Sequence, residues 1–389
     1  MNALELTRVK TKEDRENFIR VPQIIHHGKP NWIFPLNMES LERIDPLKNP
    51  FFEYGKAEFW IAWRDGVPLG RISAQVNPRH LERHDDRSGH FGYVDAIDDV
   101  NVFKALFEVG EEWLLEQGMR SACGPFQLSI NEECGMLVDG FDHAPVLMMG
   151  HGEPYYAKHT NACGYEKCKD LHAFYIDTNE ADEPKIDRLL KRTNEASNIH
   201  VRSVDMSRYD EEAAIIFEIF SEAWSQNWGF IPFTDAEMKH MSSNMKMILK
   251  PELALIVEIA GEPAGIMIGL PNVNEAIKDL NAKLFPFGWA KLLWRLKVKG
   301  LQSGRVVLAG VRKEHHGTIG GMSALAAMLA KIKENANKLG YRYGELSWIL
   351  EDNKPVQRLL ALGGYKPYKT YRIFEKQLTQ NNVLREKDK

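Results

Sequence analysis

Two stretches of this chain, 200 positions apart, match in register. Gly164-Tyr165-Glu-Lys-Cys-Lys169-Asp-Leu-His-Ala-Phe174 and Gly364-Tyr365-Lys-Pro-Tyr-Lys369-Thr-Tyr-Arg-Ile-Phe374 share Gly, Tyr, Lys and Phe at identical spacing. Upstream of each, a helix-like segment ends in Gly-x-Arg. Val102 to Gln117 runs into Gly118-Met-Arg120, and Ser323 to Leu339 runs into Gly340-Tyr-Arg342. A glycine at such a position takes the left-handed conformation of a helix C-cap. Two matches in the same order restrict the fold to a tandem of similar halves. A chain of 389 residues also exceeds what one core ordinarily serves, so two domains are expected. The boundary falls in the acidic, turn-prone Asp177-Thr-Asn-Glu-Ala-Asp-Glu-Pro184 and Lys185. This gives halves of 1–180 and 181–378, with a disordered tail from 379 to 389.

The second half carries the richer chemistry. Arg305-Val-Val-Leu-Ala-Gly-Val311 reads as a β-branched strand, and Glu314-His-His-Gly317-Thr-Ile-Gly320-Gly321 as a glycine-rich turn. Met322 to Leu339 then reads as a helix. Glycines let a ligand approach the backbone, and a helix start supplies unpaired N–H groups with the positive end of the dipole. The arrangement is a phosphate cradle. A second strand, Glu345 to Leu350, follows, then Asn353 before a short helix, and Gly364-Tyr365 before a final strand.

This closing module resembles that of the GNAT acyl-CoA N-acyltransferases. The expected fold class is α/β with a mixed sheet, as two tandem GNAT-like domains. Further segments are similar to a family of bacterial tandem-GNAT proteins termed bacterial ceramide synthase-like. They are Gly89-His-Phe-Gly-Tyr-Val-Asp-Ala-Ile-Asp-Asp99, Gly124 to Phe141, and Ala223-Trp-Ser-Gln-Asn227-Trp228-Gly229-Phe230-Ile-Pro232. The resemblance implies acyl-CoA as co-substrate, no metal, and direct transfer of an acyl group from the thioester to an amine. The family's namesakes imply a fatty acyl group and a sphingoid base. Acetylation of a small polar amine and a catalytically silent acyl-CoA-binding protein stand as alternatives.

The family's turn, Arg/Gln-x-x-Gly-x-Gly/Ala, aligns with His316-Gly317-Thr318-Ile319-Gly320-Gly321, with Ile319 at the inner glycine. On that alignment Leu308, Ala309, Gly310, Val311, His316, Gly317, Thr318, Gly320, Gly321 and Asn353 are the expected cofactor-binding residues. An amide within Leu308 to Val311 is the expected oxyanion donor, and Gly310 permits a bulge or a close approach. Candidate bases are His315, His316, Glu345 and Glu351. Glu345 heads a strand, from which it reaches an amine directly or through water. Glu345, His315 and Asn353 form the expected catalytic set, and a solvated side chain is the bland alternative for each. Where many family members place an acidic Tyr, this chain has Leu360.

The first half has Asp98-Asp99-Val100-Asn101 where the turn should stand. It has no glycine there, and its carboxylates would repel a pyrophosphate, so Asp99 or Asn101 is expected only to cap a helix. In the second half, Asn227, Trp228 and Phe230 are the expected substrate-binding residues, beside the alternative of a helix C-cap with core aromatics. The segment 271–300 is an insertion into the minimal fold. Between 276 and 300 basic residues interleave with Phe285, Phe287, Trp289 and Trp294. Two readings stand for it: a helix at an anionic membrane surface, or an amphipathic helix packed over the site.

A net charge of −4 argues against a nucleic-acid partner and leaves a small-molecule or lipid amine. Four cysteines lack the spacing of a zinc site, and no signal peptide is read, so reduced thiols and a cytoplasmic location are expected. The inner membrane face is the extension of that location if 276–300 meets lipid. No apolar run approaches the ~20 residues of a spanning helix.

Overall fold

The structure, a computed structural model, describes residues 3–179 and 199–379. Most of the expected boundary segment, from 180 to 185, and the tail from 380 lie outside the described residues. The chain divides into two units. The first comprises Met1–Asp170, Ile277–Trp289 and Lys369–Lys389, and the second Leu171–Ala276 and Ala290–Tyr368.

In chain order the first elements are β1 (Glu5–Arg8), α1 (Lys12–Ile25), α2 (Asn37–Arg43), β2 (Lys56–Arg64), β3 (Val67–Val76) and α3 (Pro78–His84). There follow β4 (Ser88–Ala96), α4 (Val100–Glu116), β5 (Ser121–Gly124), β6 (Met136–Asp139), α5 (Pro154–Ala162) and β7 (Glu166–Asp177). Next come β8 (Ile199–Ser203), α6 (Tyr209–Trp224), α7 (Asp235–Ile248), β9 (Ala254–Ile259), β10 (Glu262–Pro271), α8 (Asn274–Ile277) and α9 (Gly288–Trp294). The last are β11 (Ser303–Val311), α10 (Ile319–Lys338), β12 (Tyr343–Leu350), α11 (Lys354–Leu362) and β13 (Pro367–Gln377).

The units repeat one topology. In the first, β1 to β4 form an antiparallel ladder, β4 runs parallel to β5, and Phe374 to Gln377 of β13 pair antiparallel with β5. In the second, β8 to β11 form the ladder, β11 runs parallel to β12, and Leu171 to Asp177 of β7 pair antiparallel with β12. The repeated Gly-Tyr stretches therefore feed strands that exchange places. The strand following the first half closes the second unit's sheet, and the strand following the second half closes the first unit's sheet.

Local sequence dictates these elements. Gly118 and Gly340 both adopt φ of +83°, the left-handed conformation that ends α4 and α10. Thr11 and Asp14 form a capping box at the start of α1. Central strands are covered on both faces, and their side chains alternate between two cores. Phe59 and Ile61 join Phe18 of α1, while Trp60 and Ala62 join Phe103 and Phe107 of α4. Likewise Leu255 and Val257 pack with Met328 and Leu329 of α10, while Ala254 and Ile256 pack with Ile219 and Phe220 of α6. Each such buried aliphatic or aromatic side chain contributes about 1.5–3 kcal/mol. None of the four cysteines is in a disulfide. Among the described residues, no helix is long and apolar enough to cross a membrane.

Candidate active site

Two parallel strands that part company define the site. β11 and β12 pair only from Ser303 opposite Tyr343 to Val306 opposite Leu346. Beyond that point the edge of β11 facing β12 has no strand partner among the described residues, while its other edge stays paired with β10 as far as Val311. The register with β10 skips Val307, since Ile268 faces Leu308 and Gly269 faces Val306. This β-bulge at Val307 bends β11 at the point where the strands separate. Leu308, Ala309, Gly310 and Val311 thus all lie on the splayed arm.

The bulge does not fall at Gly310. That glycine sits close against α6 instead: a Cβ there would lie 3.0 Å from Ala223 Cβ and 3.5 Å from Trp224 Nε1, a tight fit that the helix could take only by giving way a few tenths of an ångström. Trp224 Nε1 also donates to the Ala309 carbonyl at 3.2 Å, fixing the arm to the helix.

The turn after β11 is tightly determined. Glu222 at the end of α6 accepts from Arg312 and from the Lys313 amide, each at 2.8 Å. Burial alone would raise the Glu222 carboxyl, but these two donors hold it below its ordinary range. A short 3₁₀ turn, Lys313–His315, leads to Gly317 at φ +70°, and Thr318 then caps α10 by accepting from the Gly321 amide at 3.0 Å. The Thr318 hydroxyl also donates to the His315 carbonyl at 2.9 Å. A Cβ on Gly321 would stand 2.1 Å from that same carbonyl oxygen, so turn and helix touch through their backbones. At the helix start the amides of Ile319 and Gly320 precede the first intrahelical acceptors and face outward as donors. Ile319 points its side chain to solvent, 85% exposed, so the departure from the family's glycine adds no obstruction inside the turn.

Several expected residues have structural duties. The His316 ring lies 2.9 Å from the Val311 carbonyl and pins the strand end. His315 lies 3.4 Å from Glu314. Asn353 caps α11 by accepting from the Val356 amide at 3.4 Å. Phe230 is buried against Phe220 in the core beneath α6, Gly229 adopts φ of +67°, and Asn227 and Trp228 lie between that core and the surface. Leu360 is buried in the core with Leu329 and Ile332, and its side chain has no proton to give.

Glu345 is different. It faces Arg305 across the last paired rungs before the splay, and both are 2% exposed. Its carboxylate accepts from the Ser347 hydroxyl at 2.5 Å and from the Tyr368 hydroxyl. Arg305 donates to Ser347 at 2.9 Å, lies 4.0 Å from Glu345 and stacks 4.6 Å over the Trp348 ring. The guanidinium balances the buried carboxylate. Tyr368 is half-buried and packs at 5.7 Å from Tyr175, whose hydroxyl is pushed up to about 12, chiefly by burial. Glu345 therefore communicates with its surroundings through Tyr368. Only Glu345 of this cluster is legible as a candidate in the sequence. Arg305 and Ser347 read there as ordinary strand positions, and Tyr368 follows the Gly-Tyr pair at no diagnostic spacing.

A small apolar cleft, part of it open to solvent, reaches the crotch at Val306 and Leu346. Leu270, Gly304, Leu329, Ile332 and Gly344 line it further down. A Cβ on Gly344 would meet nothing within 4 Å.

The first unit has the same splay but fills it. β4 and β5 pair from Ser88 opposite Ser121 to His90 opposite Cys123 and then separate. The Phe126 amide donates to the Phe91 carbonyl at 2.8 Å, and Gln75 donates to the Phe126 carbonyl at 2.7 Å. Gly92 admits this segment, because a Cβ there would stand 1.9 Å from the Phe126 oxygen. Asp99 caps α4 by accepting from the Asn101 amide at 2.9 Å, with no glycine turn before it. Among the described residues, no such segment fills the splay of the second unit.

No family model matches the chain. A protein of Caulobacter vibrioides (strain NA1000 / CB15N) named "Bacterial ceramide synthase" is 43% identical over 376 residues, covering 96% of this chain and 98% of that one. "Protein YghO" of Escherichia coli (strain K12) is 42% identical over 369 residues, 94% of each chain. Among solved structures, a tandem GNAT protein from the clavulanic acid biosynthesis pathway aligns with a TM-score of 0.54 at 12% identity, covering 97% of this chain and 99% of that one. A GCN5-related N-acetyltransferase from Sphaerobacter thermophilus aligns with a TM-score of 0.54 at 14% identity, covering 96% of each. These two structures fix the fold as tandem GNAT.

Proposed function

The chain belongs to the bacterial ceramide synthase family of tandem-GNAT acyltransferases, and from that membership we propose that it transfers a long acyl chain from acyl-CoA to the amine of a lipid such as a sphingoid base. The observation that carries this reading is the splay of β11 and β12, unfilled among the described residues and reached by an apolar cleft, whereas the first unit's splay is filled by its own chain. Fold alone would not choose a substrate. The apolar lining of the cleft beneath the crotch suits the hydrocarbon of an acyl chain, which a small-amine acetyltransferase would not need.

In the proposed reaction the diphosphate of coenzyme A meets the amides at the start of α10, and the thioester lies along the arm Leu308 to Val311. The amine nitrogen attacks the thioester carbonyl, forming the C–N bond, and an arm amide donates to the oxyanion. The amine's proton passes to Tyr368 and its partner Glu345 as the C–S bond breaks. The departing thiolate needs little assistance, because its basicity is modest, and it takes up a proton from the same pair or from water. Buried Glu345 acts through Tyr368 rather than touching the amine. His315, Asn353 and the Asn227 to Phe230 loop stay outside this scheme as supports of the turn, α11 and the wall below α6.

Release of free thiol from acyl-CoAs of two to eighteen carbons, each with sphinganine and with a small polar amine, tests the proposal. The expected result is amine-dependent release that favours long chains and the lipid amine. Release with acetyl-CoA and the polar amine alone would assign the protein to small-amine acetylation. Tight binding without release would leave it a silent acyl-CoA binder.

A further inference from the structure

The insertion exposes an unusual set of side chains for a chain of net charge −4. Phe285 and Phe287 are 80% and 79% exposed, Trp289 and Trp294 about half, and Val298 72%. They stand on one continuous stretch, where α9 passes into a further helical turn, Arg295–Lys299. Leu292 and Leu296 of this stretch pack inward against the core that holds Leu329, which leaves Trp289, Leu293, Trp294 and Val298 facing out. Between Ile277 and Gly300 six basic residues accompany a single acid, Asp279. The Arg295 guanidinium anchors the stretch by donating to the Ala276 carbonyl at 2.7 Å. Lys283, Lys291, Lys297 and Lys299 are exposed among the aromatics.

We propose that residues 283–299 form a docking surface for an anionic lipid bilayer. Exposed apolar side chains at this density are costly in water unless a partner covers them. Tryptophan and phenylalanine settle at the boundary between headgroups and acyl chains, while lysines extend their stems and keep their charge at the phosphate level. A basic stretch on an acidic protein matches the sign of an anionic leaflet, where basic side chains add to attraction and lose it with salt. The surface is defined without the acyl-transfer site, so it can fail while that reading stands.

Co-sedimentation of the full chain with vesicles of phosphatidylcholine, alone or with three-tenths phosphatidylglycerol, tests it. Partitioning at least tenfold stronger onto the anionic vesicles is expected, falling by a similar factor at 0.5 M salt. Trp289→Ser with Trp294→Ser, and separately Phe285→Ser with Phe287→Ser, should each remove at least tenfold of the binding without moving the thermal midpoint. Equal binding by these variants, or no binding to anionic vesicles, overturns the proposal. A concentration-dependent dimer that the same variants dissolve, with no vesicle binding, would assign the surface to a second copy and also overturn it.

Discussion

Replacing Gly321 with alanine should dismantle the proposed pyrophosphate cradle without unfolding the protein. The added Cβ would stand 2.1 Å from the His315 carbonyl oxygen, and an ordinary contact needs about 3.4 Å. Turn and helix start must therefore separate by roughly 1.3 Å, and that carbonyl also holds the Thr318 hydroxyl and amide. The amides of Ile319 and Gly320 then no longer face one point. A hydrogen bond to a charged group contributes about 1.5–3 kcal/mol, so loss of one weakens coenzyme A by roughly 10- to 150-fold. The neighbouring glycine supplies a control. A Cβ on Gly320 meets only the Thr318 oxygen, at 3.8 Å, so Gly320→Ala should bind coenzyme A within about threefold of the parent and hold or raise the thermal midpoint. Isothermal titration with coenzyme A and with a pantetheine thioester lacking the diphosphate separates the contributions. Gly321→Ala should lose affinity for the first and keep it for the second. Unchanged coenzyme A binding in a folded Gly321→Ala protein, or equal loss with both ligands, would refute the reasoning.

Gly344→Leu projects a four-carbon side chain into the cleft, where a Cβ meets nothing within 4 Å. Displacing about four methylenes of acyl chain at ~0.8 kcal/mol each should cut kcat/KM for long-chain acyl-CoA roughly 200-fold. Acetyl-CoA turnover should be spared, and an equal loss with both would count against the cleft. Tyr368→Phe removes the hydroxyl that meets Glu345 and should lower kcat by about 10²- to 10⁴-fold at unchanged acyl-CoA affinity, read by single-turnover kinetics. Gly92→Ala sets a Cβ 1.9 Å from the Phe126 oxygen and should destabilise the first unit by several kcal/mol, about the upper range for single substitutions, seen as a lower urea midpoint. In the same unit burial pushes His26 down to about 3 and His151 down to about 4, both below the unfolded value. The unfolded chain therefore takes up these protons first, so stability is full above about pH 6.5 and declines as pH falls toward 4, by at most ~1.4 kcal/mol per pH unit for each histidine. His26→Gln should flatten the slope of the urea midpoint between pH 7 and 5, and an unchanged slope would remove His26 from the account.

The sequence made the tandem arrangement legible because a left-handed C-cap and a Gly-Tyr strand entry are local requirements, repeated once in each half. It also exposed the turn before α10 and the Asp99 cap, since both depend on neighbours within a few positions. Features set by distant partners stayed hidden. The exchange of β7 and β13 is decided by which strand edge each meets, and the two strands carry the same motif. Gly310 suggested a bulge, yet the bulge sits at β-branched Val307, and Gly310 sits close against Ala223 on α6. The closing of the first splay by Phe126 depends on Gly92, more than thirty positions upstream. Phe230 carries an aromatic ring that reads equally as a substrate wall or as core, and packing against Phe220 places it in the core.

Mass spectrometry of the product formed by the purified chain from palmitoyl-CoA and sphinganine tests the central claim most directly. One amide-linked N-palmitoyl product per coenzyme A released, formed roughly 10- to 150-fold more slowly by Gly321→Ala at subsaturating palmitoyl-CoA, is the predicted result. Acyl-CoA that stays bound and unconsumed in the presence of the amine, with no amide formed, would contradict it.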